Sequence, residues 1–187
     1  MGYMPSAALP LIAAENARVT AALASDPALD AAETAITGAE RVFVLGAGRS
    51  GIALTMTAMR LMHLGLAVHV VGEATTPAIR EGDLLLVASG SGTTAGILRA
   101  AETAHSLGAA IVALTTDARS PLAELATVTI AVPAAKKLDR DGTASAQYAG
   151  SLFEQAVVTI GDALFHDLWQ ASGRSADDLW PSHSNLE

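Results

Sequence analysis

Cysteine is absent from the 187 residues of this chain. This absence excludes disulfide bonds, thiolate catalysis and metal sites with sulfur ligands. Basic residues are also few: 11 lysines and arginines stand against 19 acidic residues, and the net charge is −8. A nucleic-acid surface needs a basic stripe, and the sequence contains none, so we expect no nucleic-acid partner.

Long apolar runs are missing as well. No segment reaches the roughly 20 apolar residues of a membrane span, and the N-terminus lacks the basic segment and cleavage site of a secretory signal. We therefore expect a cytoplasmic protein with no membrane partner. Hydrophobic residues nevertheless make up 51% of the chain. At this length, such a composition predicts one α/β domain whose helices pack closely on a sheet.

Short apolar segments alternate with helical segments from residue 41 onward. Strands are predicted over residues 41–45, 67–71, 83–88, 110–114 and 128–132, and helices over 50–64, 94–107, a short stretch from Ser120-Pro121, and 144–170. Apolar strands that alternate with helices indicate a parallel sheet buried on both faces. We therefore predict a single three-layer α/β domain: a five-stranded, doubly wound, flavodoxin-like sheet flanked by helices, with a long C-terminal helix.

Two more helices are predicted ahead of the first strand. Apolar residues recur at helical spacing between Ser6 and Ser25. Asp26-Pro27 has the pattern of an N-cap followed by proline at the first helical position, and it predicts a second helix that ends near Gly38. This N-terminal helical segment, residues 1–40, would form an outer layer or a subunit contact. Residues 41–187 would form the main domain, and the two would make one structural unit.

The first strand leads into a glycine-rich loop, Gly46-Ala47-Gly48-Arg49-Ser50-Gly51. Glycines allow the backbone to approach an anion, and the N-terminus of the following helix presents N–H groups to it. The loop also matches the dinucleotide pattern GxGxxG, and Glu73 lies where a ribose-binding acid would be expected. A tight turn without any ligand is the third interpretation of these residues.

The third strand ends in Ser89-Gly90-Ser91-Gly92-Thr93-Thr94, again directly before a helix. Four hydroxyl groups and two glycines make a second anion-binding loop, which a dinucleotide fold does not need. N-capping by Ser91 or Thr93 would explain one hydroxyl but not the cluster. Strands one and three are commonly neighbours in doubly wound sheets, so both loops are expected to face one crevice. Together they favour a phosphate ligand.

Two further residues are candidates for acid–base chemistry. Glu154 lies in Gly150-Ser151-Leu152-Phe153-Glu154-Gln155, among apolar residues of the predicted long helix, where a carboxylate could remove a proton from a carbon next to a carbonyl. Periodicity alone is equally compatible with a solvated glutamate on the helix surface. His183 lies in the polar tail of the chain, and by itself its position carries little weight.

Taken together, these segments resemble the sugar isomerase (SIS) domain family, and more narrowly the 6-phospho-3-hexuloisomerase family. The similarity spans nearly the whole chain from residue 42 onward. The hydroxyl-rich loop SGSGTT is typical of the wider family, and the combination with GAGRSG, MRLMHLG and a histidine near the terminus is typical of the narrower one. The similar segments are VFVLGAGRSG (42–51), AMRLMHLGLAVHVVGEATTPAI (58–79), SGSGTT (89–94), GSLFEQ (150–155) and HSNLE (183–187).

The resemblance implies an isomerase that converts a 3-hexulose 6-phosphate into fructose 6-phosphate through a 2,3-enediol, without a metal or cofactor. It implies that Ser50, Ser89, Ser91 and Thr94 bind the substrate phosphate. Gly48 and Thr93, in the same two loops, are predicted to belong to this binding site. A role in formaldehyde fixation or in pentose supply would follow, and the sequence does not distinguish the two.

The resemblance also implies roles for three more side chains. Glu154 would be the catalytic base, Arg49 would help to hold the substrate, and His183 would reach the active site of a neighbouring subunit in a homotetramer. Three other activities stay open. They are an aldose–ketose isomerase of the arabinose 5-phosphate type, a non-catalytic SIS module that senses a sugar phosphate, and a nicotinamide-dependent oxidoreductase, for whose substrate domain 187 residues leave no room.

Overall fold

The computed structural model describes residues 7–135 and 144–186 and contains a parallel sheet of five strands. The strand order is β2-β1-β3-β4-β5, so the chain reverses its direction of travel across the sheet after β2, as predicted for a doubly wound fold. The elements are α1 Ala8–Leu23, α2 Pro27–Gly38, β1 Val42–Gly46, α3 Arg49–His63, β2 Val68–Val70, β3 Leu84–Ala88, α4 Ala95–Ser106, β4 Ala110–Thr115, α5 Pro121–Leu125, β5 Val128–Ala131, α6 Ser151–Ser172 and α7 Ala176–Leu179, followed by a 3₁₀ turn over Trp180–Ser182.

Helices cover both faces of the sheet, which confirms the three-layer prediction. Alternate strand residues point to opposite faces: Leu84 and Leu86 pack with α1, α2, α3 and α6, whereas Leu85 and Val87 pack with α4 and α5. The β3 strand is buried along its whole length. The predicted apolar segments therefore form the centre of the molecule, because a strand covered on both faces needs apolar side chains in both directions.

Two of the predicted helix starts have the expected caps. The Asp26 carboxylate accepts a hydrogen bond from the Ala28 N–H at 2.9 Å, with Pro27 in the first turn. The Ser120 hydroxyl accepts from the Ala123 N–H at 3.3 Å, again before a proline. These local signals placed α2 and α5 correctly because a cap bond depends only on neighbours in the chain.

The start of the long C-terminal helix was predicted wrongly. It was expected at residue 144, but α6 begins at Ser151. The preceding residues form turns, and Ala149 adopts a left-handed conformation with φ of 50°, which a continuous α-helix does not allow. Even α6, with 22 residues, is not a membrane span, and no helix within the described ranges is long and apolar enough to be one.

A buried carboxylate stabilises the end of the sheet at which the parallel strands begin. Asp83 accepts hydrogen bonds from Arg41 Nε at 2.9 Å, from Arg41 Nη2 at 2.6 Å and from the Arg80 N–H at 2.8 Å. Burial by itself would raise the pKa of Asp83, but these bonds outweigh burial and hold that pKa below its ordinary value. The start of β1 is thereby tied to the turn before β3.

Candidate active site

The two predicted anion-binding loops lie side by side. β1 and β3 are neighbours, and Gly46 at the end of β1 pairs with Ala88 at the end of β3. Both loops therefore leave the sheet at the same edge and enter helices α3 and α4. A pocket lies between them and the start of α6, lined by Ala47, Ser50, Ala88, Ser89, Gly90, Ser91, Thr94, Ala135, Ala149, Gly150, Phe153 and Glu154.

The first loop is shaped by close backbone contact. A Cβ atom on Gly51 would lie 2.5 Å from the Gly46 carbonyl oxygen, so only glycine fits there. Gly48, with φ of 58°, turns the chain into α3. These contacts bring the first turn of α3, including Ser50, against the end of β1 and thus to the pocket.

The second loop presents hydroxyl groups that are bonded to one another. Ser89 Oγ lies 3.0 Å from Thr94 Oγ1, and Ser91 Oγ accepts from the N–H and the hydroxyl of Thr93 at 3.2 and 3.0 Å. The N-cap residue of α4 is Thr94, so the alternative of capping by Ser91 or Thr93 is wrong. The N–H groups in the first turn of α4 have no partners within the helix and point toward the same loop.

Residues outside the predicted site stabilise this loop. Thr115 Oγ1 and Thr116 Oγ1 donate to the Gly90 carbonyl oxygen at 3.2 and 2.7 Å, and the Leu122 N–H donates to the Gly92 carbonyl oxygen at 3.2 Å. Phe153 packs beneath Gly90, since a Cβ atom there would lie 3.3 Å from its ring. Thr115 is the last residue of β4, the strand next to β3, and Thr116 follows it. This position at the end of a strand was their signal in the sequence.

Glu154 lies in the first turn of α6 and faces the pocket. Its carboxylate accepts a hydrogen bond from Arg49 Nε at 2.5 Å, and its side chain is 22% exposed against 67% for Arg49. Glu154 thus lies neither in wholly apolar surroundings nor in full solvent, the two environments that the sequence left open. Leu152 and Phe153 are buried in the core, whereas Glu154 projects from the same turn toward an arginine.

The pocket unites five of the nine predicted site residues: Ser50, Ser89, Ser91, Thr94 and Glu154. Arg49 lies at its rim, in an adjoining groove that also contains Glu154. Gly48 and Thr93 shape the two loops but do not line the pocket within the described part of the chain. The predicted convergence of the two loops on one crevice is confirmed.

His183 lies elsewhere on the subunit. Its ring stacks on His63 at a centroid distance of 4.1 Å and on Trp180 at 4.7 Å. His63 ends α3 and Arg49 begins it, and a helix of this length separates them by about 20 Å. Burial is the main cause that lowers the pKa of His63, and the nearby His183 and Arg60 lower it further. Within one chain, His183 is therefore at the far end of α3 from Glu154. Glu187, which ends the similar HSNLE segment, lies outside the described residues.

Histidine, aspartate and glutamate do not gather in threes as metal ligands anywhere in residues 7–135 and 144–186. Among the described residues, the pocket and its rim offer hydroxyl groups, backbone N–H groups, the Glu154 carboxylate and the Arg49 guanidinium group. Such a set can bind a phosphate dianion and move a proton.

Comparison with known proteins identifies similar chains. The model of the SIS domain family matches residues 35–158. The 3-hexulose-6-phosphate isomerase of Mycobacterium gastri is 58% identical over 147 residues, which cover 79% of this chain and 74% of that protein. The enzyme of the same name from Bacillus subtilis is 37% identical over 169 residues, covering 90% and 91% of the two chains.

A solved structure shares nearly the whole fold. A hypothetical protein from Methanococcus jannaschii superposes with a TM-score of 0.83 at 28% identity, covering 96% of this chain and 99% of that one. A molecular function of 3-hexulose-6-phosphate isomerase has been inferred for that protein from its crystal structure.

Proposed function

This chain belongs to the SIS domain family, and from that premise we propose that it converts a 3-hexulose 6-phosphate into fructose 6-phosphate. Its relatives at 58% and 37% identity are isomerases, and this protein is an enzyme of the same class. The choice of substrate follows the names of these relatives. One observation supports the mechanism: Glu154 lines the same pocket as two loops that suit a phosphate group.

The phosphate end of the substrate would bind between the loops. Ser89, Ser91 and Thr94 offer hydroxyl groups, and Ser50 adds another from the first turn of α3. The N-termini of α3 and α4 add N–H groups and the positive ends of two helix dipoles, which favour a dianion. This arrangement explains how a chain with a net charge of −8 can bind phosphate with few cationic side chains.

Glu154 would transfer the proton between the two carbons. Its carboxylate removes the proton from C2 of the 3-ketose, the electron pair forms a C2–C3 double bond, and the carbonyl electron pair moves to the C3 oxygen, which gives an enediolate. One proton moves from the C2 oxygen to the C3 oxygen, and Glu154 then returns its proton to C3, which leaves the carbonyl group at C2. Atoms and electrons balance without an added oxidant, and the bound phosphate fixes the carbon chain against the base.

Arg49 and His183 complete the proposal. Arg49 would hold the sugar at the rim of the pocket, where its guanidinium group already contacts Glu154. His183 would act in the site of a neighbouring subunit of a homotetramer, assisting proton exchange between the oxygens or opening the ring of fructose 6-phosphate. His183 stacks on His63 at one end of α3, whereas Glu154 of the same chain lies at the other end. This separation supports a role for His183 in the pocket of another subunit.

The substrate proposal is tested by a coupled assay. Purified protein is given a panel of ketose and aldose phosphates. Fructose 6-phosphate formation is followed through glucose 6-phosphate and its dehydrogenase, and ribulose 5-phosphate formation from arabinose 5-phosphate is followed by a separate ketopentose assay. We expect turnover of the 3-hexulose 6-phosphate to exceed that of arabinose 5-phosphate by at least ~100-fold, because the two differ in chain length and in the position of the carbonyl group. Binding of fructose 6-phosphate without turnover would instead identify a sensor module.

The shared site is tested by mixing two inactive variants. Glu154→Gln and His183→Ala homo-oligomers are each expected to be nearly inactive. After subunit exchange, some sites would combine an intact Glu154 with an intact His183 from the neighbouring subunit, and up to about a quarter of wild-type activity should return. If exchange is demonstrated by mass spectrometry and activity does not return, His183 does not act across subunits.

A further inference from the structure

The N-terminal helix α1 contacts the turns that precede α6. Glu15 accepts three hydrogen bonds from this segment: from Ser145 Oγ at 2.6 Å, from the Ala146 N–H at 2.7 Å and from Gln147 Nε2 at 2.9 Å. Arg18, one turn further along α1, donates to the Ala144 carbonyl oxygen at 2.5 Å. One carboxylate thus accepts hydrogen bonds from three successive residues of this segment.

A second set of bonds reaches α6 itself. Asn16 Nδ2 donates to Gln155 Oε1 at 2.6 Å, and Gln155 and Gln147 exchange two hydrogen bonds at 2.7 and 3.2 Å. Gln155 is the residue after Glu154 on the first turn of α6. Both sets of contacts therefore fix the position at which α6 begins.

The same segment forms one wall of the pocket. Ala149 and Gly150 line it, and Ala149 holds the left-handed backbone conformation that ends the turns. The Glu154 N–H then bonds the Gly150 carbonyl oxygen at 3.0 Å, so the wall and the base are joined directly. A left-handed alanine costs about 1 kcal/mol and persists only where its surroundings enforce it.

We propose that Glu15 and Asn16 are positioning residues for catalysis: they hold residues 145–147 and Gln155, and thereby set the distance of Glu154 from the substrate carbon. This inference rests on the proposed function for its kinetic readout. It assigns α1 a part in the reaction rather than only an outer layer or a subunit contact. The reason is geometric, because a carboxylate shifted by about 1 Å can lose ~100-fold in rate.

The electrostatics of Glu15 support this assignment. Burial alone would raise the pKa of Glu15, but the hydrogen bonds from Ser145, Ala146 and Gln147, together with Arg18, outweigh burial and lower that pKa. The group is therefore ionised at neutral pH and acts only as an acceptor, which matches its three donors. A glutamine in its place would turn one acceptor oxygen into a donor facing another donor.

The test compares four purified variants of the full chain: Glu15→Ala, Glu15→Gln, Asn16→Leu and Thr20→Ala. Thr20 is the control, because it lies on α1 and, among the described residues, its hydroxyl donates only to the carbonyl oxygens of Asn16 and Ala17 in its own helix. We expect kcat to fall ~10- to 100-fold in Glu15→Ala and less in Glu15→Gln and Asn16→Leu, with KM within about threefold of wild type. Thr20→Ala should match wild type.

Hydrogen exchange supplies a readout that needs no substrate. The exchange rate of the Ala146 amide, which is bonded to Glu15, should rise at least ~10-fold in Glu15→Ala. The same rate should not change in Thr20→Ala. An unchanged kcat in Glu15→Ala and Asn16→Leu would overturn the inference, as would unchanged exchange. If wild type does not turn over a 3-hexulose 6-phosphate, the proposed function fails. The role of Glu15 in holding residues 145–147 is then judged by exchange alone, and faster exchange at Ala146 would still support it.

Discussion

Replacing Glu154 with glutamine is expected to lower kcat by ~100-fold or more, the scale of a general base, while KM changes little. Glutamine keeps the shape of the side chain and an oxygen that can accept from Arg49 Nε. It cannot take a proton from carbon at a useful rate. The two loops proposed to bind the phosphate lead into α3 and α4, and this substitution on α6 leaves their residues unchanged. Steady-state kinetics of the 3-hexulose 6-phosphate reaction would measure both constants.

Asp162→Asn is the matched control for this variant. Asp162 is an exposed carboxylate on the same helix, two turns beyond Glu154 and outside the pocket lining among the described residues. Its conversion to asparagine removes the same charge and should leave kcat within about twofold of wild type. Near-normal turnover by Glu154→Gln would remove Glu154 from the mechanism and would require another base.

The double variant Ser89→Ala with Ser91→Ala is expected to raise KM by ~100-fold or more. Each hydroxyl would give the phosphate a hydrogen bond, and a bond to a charged group contributes at least about 1.5 kcal/mol. Two such bonds correspond to ~100-fold in affinity. Because the base is untouched, kcat at saturation should fall far less than KM rises. Titration with inorganic phosphate, followed by calorimetry, would measure the same loss without turnover.

Ser106→Ala serves as the control for the loop variant. Ser106 lies at the other end of α4, and its hydroxyl donates to the Thr103 carbonyl oxygen of the same helix at 2.8 Å. Its loss should leave KM and phosphate affinity unchanged. If the double variant also keeps its affinity, the phosphate binds elsewhere, and the assignment of the hydroxyl-rich loop as its site is wrong.

Patterns between near neighbours in the chain predicted most of the fold. The apolar runs gave all five strands to within one or two residues, because a strand buried on both faces must be apolar throughout. Glycines and hydroxyl groups at the ends of β1 and β3 marked both loops, because backbone approach to an anion requires those residue types locally. Their convergence followed from strand order.

The sequence predictions failed where contacts between residues far apart in the chain determine the structure. The start of α6 was placed at residue 144 instead of Ser151, because residues 145–147 bond to Glu15, which is 130 or more positions earlier. The ion pair of Glu154 with Arg49 spans 105 positions. The stacking of His183 on His63, which partly buries a residue of a seemingly polar tail, was missed for the same reason.

By itself, the sequence determined the layered α/β architecture, the two glycine- and hydroxyl-rich loops proposed to bind an anion, and the identity of the carboxylate beside them. Each depends on local periodicity or on the chemistry of adjacent residues. Only the tertiary structure decided what surrounds that carboxylate, where its helix begins and which residues of α1 hold it there. These are contacts between side chains far apart in the chain, and their geometry exists only once the sheet and helices have packed.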